Sequence, residues 1–202
     1  MCYSNKLTIF KLEDYSIVKE MEYDYEKEKS DTITHDNICG LIFSPNLNYL
    51  LVAFNGEKCR IDIYDTNNEF KFIDNLFGFK NSPLAMNFSK DGKYLSAGDN
   101  DGRIIVYDFS NKFKTVMDNI LHESIIRSTE FSPDGKYFIH TDEEEKFYNN
   151  KIIVYDLSEV RTFEVITENK INEVIFSPNS KYILIQDFDD KIKICKTINN
   201  FE

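Results

Sequence analysis

The chain has 202 residues, of which 42% are hydrophobic and 14% aromatic, which is enough apolar surface for a packed core and argues against disorder throughout. Its formal net charge is −11, and this excess of acidic side chains repels a phosphate backbone, so nucleic acid is not a predicted partner.

Three features of the sequence bear on where the protein acts. No apolar run approaches the length of a membrane span, and the amino terminus lacks the apolar core of a secretory signal. The four cysteines (Cys2, Cys39, Cys59 and Cys195) form no CxxC pair, which argues against a zinc site or a disulfide framework. We therefore predict an intracellular protein of the cytoplasm or nucleus, with reduced thiols and no membrane partner.

The first residues of the chain predict two short strands. Residues 6–11 (KLTIFK) alternate as a strand does, and residues 17–23 (IVKEMEY) form a second candidate strand. The charged stretch Tyr23–Asp31 has no apolar periodicity and reads as a solvated loop, with an acidic docking segment as the alternative.

From residue 38 onward a repeat organises the chain. The motif FSPDGKYF and its variants recur at a spacing of 43–45 residues, beginning at Phe43, Phe88, Phe131 and Phe176. An apolar strand leads into each Phe, and a second strand follows a turn built from Ser, Pro, Asp, Asn and Gly, the residues that favour β-turns. Each copy therefore predicts a β-hairpin, with the Phe as a core residue.

A third strand closes each unit about twenty residues later. It ends in Tyr-Asp in three units and in Cys-Lys in the fourth, where Cys195 replaces the Tyr as a small packed hydrophobe. These positions are Tyr64, Tyr107, Tyr155, Asp65, Asp108 and Asp156. Weaker fourth strands follow near Lys71, Phe113 and Thr162. Units of four antiparallel strands at this period predict an all-β fold made of β-propeller blades.

Counting strands raises the question of closure. The chain begins at a third strand and ends after a third strand, which gives 17 strands in all. We predict one propeller-like domain over residues 1–202, with a blade tail at 1–37, full repeats at 38–80, 81–123 and 124–168, and a last repeat at 169–202 that lacks its outer strand. The preferred interpretation is part of a larger propeller with an open edge. The alternative is a closed four-bladed ring with Ile17–Tyr23 beside Lys191–Lys196.

The sequence resembles the WD-repeat family. The FSPDG turn, the strand after it and the closing IIVYD match the family's blade pattern, with Tyr where Trp is usual. The resemblance places His122 at the family's Gly-His histidine and Asp101 at its turn aspartate, beside a strand Ser96. No unit contains the family's full set of His, Ser/Thr, Asp and Trp, so packing must hold these blades together.

Two acidic turns and three histidines are candidates for a metal site or a catalytic site. The turns at 99–102 (DNDG) and 187–191 (DFDDK) cluster carboxylates as calcium loops do, but hairpin turns are expected at both places. His35, His122 and His140 belong to no nucleophile, P-loop or metalloprotease motif. We predict no catalytic, cofactor-binding or metal-binding residue and no cofactor.

An acidic insertion is the best candidate for a partner contact. It lengthens the turn between second and third strands of the third unit, and insertions in repeat proteins often map to the binding face. The candidate residues are Asp142, Glu143, Glu144, Glu145 and Lys146. A solvated loop is the simpler interpretation of this segment, and a docking site for a basic partner surface is the functional one.

The function predicted from sequence is a non-catalytic protein–protein interaction scaffold, whose open blade edge would also allow self-association. One alternative is an accessory propeller of a hydrolase or peptidase, a class whose repeats also carry SPDGK-type turns. Another is a small-ligand binder that uses the central channel, where Ser96 or the loop carboxylates would point.

Overall fold

In the part of the chain that the structure describes, the strands pair antiparallel with their neighbours in five sheets. The computed structural model describes residues 5–23, 37–56, 58–120, 125–142, 151–159 and 161–197, and 17 strands lie in these ranges, as the repeat predicts. The chain divides into two compact units, Met1–Pro83 and Leu84–Glu202. The five predicted ranges, 1–37, 38–80, 81–123, 124–168 and 169–202, stay a prediction.

The first unit contains a hairpin and a four-stranded sheet. The hairpin pairs β1 (Asn5–Phe10) with β2 (Ile17–Tyr23). Sheet 1 follows in the order β3 (Asn37–Phe43), β4 (Tyr49–Asn55), β5 (Arg60–Asp65) and β6 (Lys71–Leu76).

The second unit contains three sheets. Sheet 2 has β7 (Pro83–Phe88), β8 (Tyr94–Asp99), β9 (Arg103–Asp108) and β10 (Lys114–Ile120), with a 3₁₀ turn at Phe109–Asn111. Sheet 3 has β11 (Ile126–Phe131), β12 (Tyr137–Asp142), β13 (Lys151–Asp156) and β14 (Arg161–Ile166). Sheet 4 has β15 (Ile171–Phe176), β16 (Tyr182–Asp187) and β17 (Ile192–Lys196).

The sheet order corrects the closed-ring alternative. In that arrangement Ile17–Tyr23 would lie beside Lys191–Lys196 in one sheet. Instead β2 pairs with β1, and β17 is the outermost strand of a three-stranded sheet. A pairing between sequence neighbours that a short turn joins, here at Lys11–Ser16, is the least costly one in chain entropy.

The turn after each repeat Phe has one geometry in all four sheets. In sheet 3 the Ser132 Oγ accepts a hydrogen bond from the Tyr137 backbone N–H at 2.9 Å and donates one to Asp134 Oδ1 at 2.6 Å. The fourth residue after the Phe has a positive φ, which Gly92 and Gly135 adopt without strain. Leu47 and Ser180 hold the same conformation at φ 58° and 57°, so the turn geometry prevails over the residue's own preference.

Successive sheets of the second unit pack face to face. One apolar cluster joins sheets 2 and 3, and it holds Ala85, Ile104, Val106, Ile126, Phe131, Phe138 and Tyr155. A second cluster joins sheets 3 and 4, where Ile139, Ile152 and Val154 meet Phe176, Ile183 and Cys195. In the first unit the hairpin packs on sheet 1, and Leu7, Ile9, Met21 and Tyr23 lie against Leu50, Val52, Phe54 and Tyr64.

The repeat Phe was predicted to be a core residue. This is the case in three sheets, and the prediction is wrong for the fourth. Phe88, Phe131 and Phe176 are 7%, 7% and 6% exposed, whereas Phe43 is 47% exposed. The reason is the size of the neighbouring sheet, because the two-stranded hairpin covers residues of β4 and β5 and leaves the corresponding face of β3 open.

Candidate interaction surface

The acidic insertion interrupts one hairpin of sheet 3. Strand β12 ends at Asp142 and β13 begins at Lys151, so residues 143–150 connect them. The equivalent turns are shorter: residues 56–59 in sheet 1, 100–102 in sheet 2 and 188–191 in sheet 4. Glu143, Glu144, Glu145 and Lys146 lie outside the described residues, and of Asp142 the structure gives the backbone alone.

The two acidic turns at this position in sheets 2 and 4 are hairpin turns closed by their own carboxylates. Asp99 Oδ1 accepts hydrogen bonds from the backbone N–H of Asp101 at 2.9 Å and of Arg103 at 3.0 Å. Asp187 Oδ1 does the same for Asp189 at 3.0 Å and Lys191 at 2.9 Å. The hydrogen bond from the Asn169 side chain and those from the backbone hold the pKa of Asp187 below its usual value.

The carboxylates of these turns are used by the turns themselves. Asp99 closes its turn and is fully shielded from solvent, whereas Asp101, which the resemblance places at the family's turn aspartate, is exposed. Asp99 takes this role because it ends β8, where its side chain can reach two backbone N–H groups ahead. Among the described residues no group of three or more His, Cys, Asp or Glu could hold a metal ion.

The closing aspartates of the repeat also bind backbone. Asp65, Asp108 and Asp156 each accept a hydrogen bond at 2.9 Å from the N–H two residues ahead. Asp156 is 1% exposed, and burial alone would raise its pKa. Hydrogen bonds from Ser158 and Glu159 and the charge of Lys136 outweigh that effect, so the pKa of Asp156 is lowered. Its carboxylate stays ionised at neutral pH and fixes the turn.

The closing tyrosines are buried in the core. Tyr64, Tyr107 and Tyr155 are at most 7% exposed, and burial raises the pKa of each phenol well above its usual value. Tyr155 stacks on Phe138 with ring centroids 4.4 Å apart. A Tyr in this position therefore supplies apolar area in place of the Trp that is usual in the family.

The thiols and histidines of the described residues show no activated nucleophile. Cys195 is fully buried, as a packed hydrophobe would be, and burial raises the pKa of its thiol. Burial likewise raises the pKa of Cys39 to about 11, which keeps the thiol protonated. His140 is buried with its ring 5.7 Å from that of Tyr155. His35 and His122 lie outside the described residues.

The second unit contains a small pocket between β10 and β13–β14. Its volume is about 60 Å³, which is room for about two water molecules. The lining includes Met117, Tyr155, Asp156 and Arg161. Ser96, a candidate channel residue from the sequence, is instead fully buried and lies 2.7 Å from the Thr129 hydroxyl of the next sheet. Its hydroxyl is used to join sheets 2 and 3.

Sequence reasoning missed the role of the repeat serines. Ser44, Ser89, Ser132 and Ser177 each accept a hydrogen bond from the first N–H of the next strand, all at 2.9 Å. Each also donates to an Asp or Asn two residues ahead. The recurrence of Ser-x-Asp/Asn in all four copies was the available signal.

The comparisons with known proteins agree with this geometry. Residues 70–108, which run from the residue before β6 to the end of β9, match the family model "WD domain, G-beta repeat". The resemblance to the WD-repeat family is confirmed. No curated protein sequence matches the chain.

A solved structure titled "Crystal Structure of Mitotic Checkpoint Complex" shares the WD-type fold. The superposition has a TM-score of 0.69 and covers 98% of this chain and 57% of that chain, at 14% identity. This chain thus spans little more than half of that chain's length, and at this identity the likeness concerns the fold alone. The all-β fold class with WD-type propeller blades is confirmed.

In the described residues no helix is long and apolar enough to cross a membrane.

Proposed function

We propose that this chain is a non-catalytic protein–protein interaction scaffold that acts inside the cell. The repeats support the proposal through what their polar residues do. Serines and aspartates at the repeat positions hold turns, and the closing tyrosines and three of the four repeat phenylalanines are buried. These groups maintain the WD-type fold, which leaves the variable turns to carry recognition.

The observation that carries the proposal is the eight-residue connection 143–150. It is the longest turn between second and third strands, and it begins Glu-Glu-Glu where the other sheets close with three or four residues. A loop that a blade does not need for closure, and that concentrates negative charge, suits contact with a basic protein surface. Asp142, Glu143, Glu144, Glu145 and Lys146 are the proposed contact residues.

The experiment neutralises the loop and measures partner capture. We expect the triple variant Glu143→Gln, Glu144→Gln, Glu145→Gln to lose most of the partner recovered by affinity capture from the native source. The matched control is the triple variant Glu13→Gln, Glu69→Gln, Glu168→Gln, which removes the same charge from exposed positions elsewhere. Unchanged capture by the loop variant, or equal loss in both variants, would remove the loop from the proposal.

The alternative of a small-ligand binder predicts a different result. Such a ligand would bind in the pocket that Tyr155 and Arg161 line. The volume of this pocket, about 60 Å³, limits the ligand to a few heavy atoms. A ligand screen by thermal shift would favour this alternative if a small molecule stabilised the protein and the Arg161→Ala variant abolished the effect.

A further inference from the structure

The pocket between sheets 2 and 3 has apolar walls. Its volume is about 60 Å³, and its lining includes Val116, Met117 and Leu157. Tyr155 also lines it, with only 3% of the residue exposed. Met117 and Leu157 pack against the cluster that contains Tyr155 and joins the two sheets. The pocket is thus an apolar recess at a sheet interface.

The hydroxyl of Tyr155 has no hydrogen-bond partner within the described part of the chain, and its oxygen is buried. A buried hydroxyl without a hydrogen bond is destabilising. Burial raises the pKa of this phenol well above its usual value, so the hydroxyl keeps its proton and can donate. The next residue, Asp156, faces the other side of the strand, where its Oδ2 lies 3.8 Å from Nζ of Lys136 and 3.9 Å from Nε of Arg161. The Tyr155 hydroxyl is therefore an unused hydrogen-bonding group at an apolar recess.

The first unit shows what satisfies the same group in another interface of this chain. Tyr64 closes the third strand of sheet 1 as Tyr155 closes that of sheet 3. Its hydroxyl accepts a hydrogen bond of 3.1 Å from the hydroxyl of Tyr23 and lies 3.4 Å from Asp62 Oδ2. Sheet 3 has Ile153 in the place of Asp62, so that carboxylate does not recur there.

The strand that supplies Tyr23 corresponds to β10 of sheet 2. On β2, Met21 lies opposite Leu7. On β10, Asn119 lies opposite Ile104, at the same place of the third strand. Met21 packs against the core of the first unit, whereas Asn119 is exposed and lines the pocket. A leucine stands two places after Asn119, where Tyr23 follows Met21, so the sequence of the second unit has no tyrosine at this place.

We infer that this pocket binds the side chain of a threonine of a partner protein. The threonine hydroxyl pairs with the Tyr155 hydroxyl, as the Tyr23 hydroxyl pairs with that of Tyr64, and the threonine methyl group contacts Val116 and Met117. The small volume excludes a larger side chain, and a charged side chain would be desolvated against apolar walls. The inference gives the pocket a ligand chemistry and does not depend on the acidic loop of the proposed function.

The experiment compares two probes that have the same shape. They are N-acetyl-threonine N-methylamide and the corresponding valine amide, in which a methyl group replaces the hydroxyl. The reporter is the carbon-13-labelled methyl group of Met117 in NMR spectra of the full chain. We expect the threonine amide to shift this signal to saturation and the valine amide to bind about tenfold more weakly. The signal of Met21, at the corresponding place in the first unit, should not move.

Variants of the full chain locate the site. Tyr155→Phe should bind both amides equally and keep the wild-type midpoint of urea unfolding, because the hydroxyl that it removes has no partner. The matched control, Tyr64→Phe, should lower that midpoint, since it leaves the Tyr23 hydroxyl without its acceptor. Asn119→Met, which copies the first unit, should fill the pocket and abolish binding of the threonine amide. The glutamine variant of residues 143–145 should bind this amide as the wild-type chain does, which separates the pocket from the loop.

Three outcomes would overturn the inference. In the first, the threonine amide leaves the Met117 signal in place, and the pocket then takes water only. In the second, the wild-type chain binds the two amides equally, so the hydroxyl is not recognised. In the third, Tyr155→Phe keeps the preference for threonine, so the Tyr155 hydroxyl is not the group that recognises it.

Discussion

Strands β3 and β11 are the first strands of two copies of the repeat, and each ends in the repeat Phe, but their surroundings differ. Phe131 at the end of β11 is 7% exposed, in a cluster with Ile104 and Val106 of sheet 2. Phe43 at the end of β3 is 47% exposed, and Leu41 on the same face is 51% exposed. The neighbour of sheet 1 on this face is a hairpin of two strands, whereas sheet 3 has a neighbour of four. The repeat therefore determines the turn, and the neighbouring sheet determines burial.

The largest effect expected from this difference is on stability. Phe131→Ala should lower the free energy of unfolding by about 3–5 kcal/mol, because it removes a buried ring and leaves a cavity. Phe43→Ala should cost about 1 kcal/mol or less, since much of its ring is already in water. Urea unfolding followed by circular dichroism measures both. Equal losses would show that β3 and β11 are covered alike.

A smaller effect is expected at Gly98, where Ile126 of sheet 3 lies close to the backbone of sheet 2. A Cβ on Gly98 would lie 2.5 Å from Cγ2 of the fully buried Ile126, so Gly98→Ala should cost about 2 kcal/mol by overpacking. Sheet 1 has Ala53 at this position, opposite Ile61 as Gly98 is opposite Ile104.

Combining Gly98→Ala with Ile126→Ala tests the cause in the same unfolding assay. If the two residues clash, the loss in the double variant should be smaller than the sum of the single losses. Additive losses would mean that Gly98 matters for its backbone and not for the space it leaves.

The smallest effect on stability is expected at the closing aspartates, and it depends on pH. Asp156→Asn should cost about 1–2 kcal/mol at pH 7, since it removes a charged acceptor of three hydrogen bonds. The pKa of Asp156 is lowered in the fold, so its contribution is complete above the pKa of the unfolded chain and is lost as the pH falls through the folded value.

The matched variant is in sheet 1. Asp65→Asn should have the smaller effect at pH 7, because Asp65 is only half-buried and accepts a hydrogen bond from Asn67. Unfolding free energies measured from pH 7 down to pH 3 compare the two variants with the wild-type chain. If Asp156→Asn kept its full deficit at acid pH, the charge of Asp156 would not be the source of the stability.

Much of the fold follows from local sequence. The strand count, the hairpin turns and the antiparallel pairing depend on neighbouring residues: Ser-x-Asp/Asn closes each turn, and β-branched and aromatic residues fill the strands. The WD resemblance was carried by these same residues. Sequence could also place the insertion after Asp142, because a change of period is visible without a structure.

Other features depended on the tertiary structure. Which sheet lies next to which decides three of these features: the exposure of Phe43, the clash that requires glycine at position 98, and the exposure of Ile192 and Ile194. The assignment of the turn carboxylate to Asp99 depended on backbone N–H groups that only the folded turn brings within reach. Sequence by itself determined the repeat unit of this protein, because turns and strands are set over a few residues. The tertiary structure decided which copies of that unit are covered, because burial depends on the size of the neighbour.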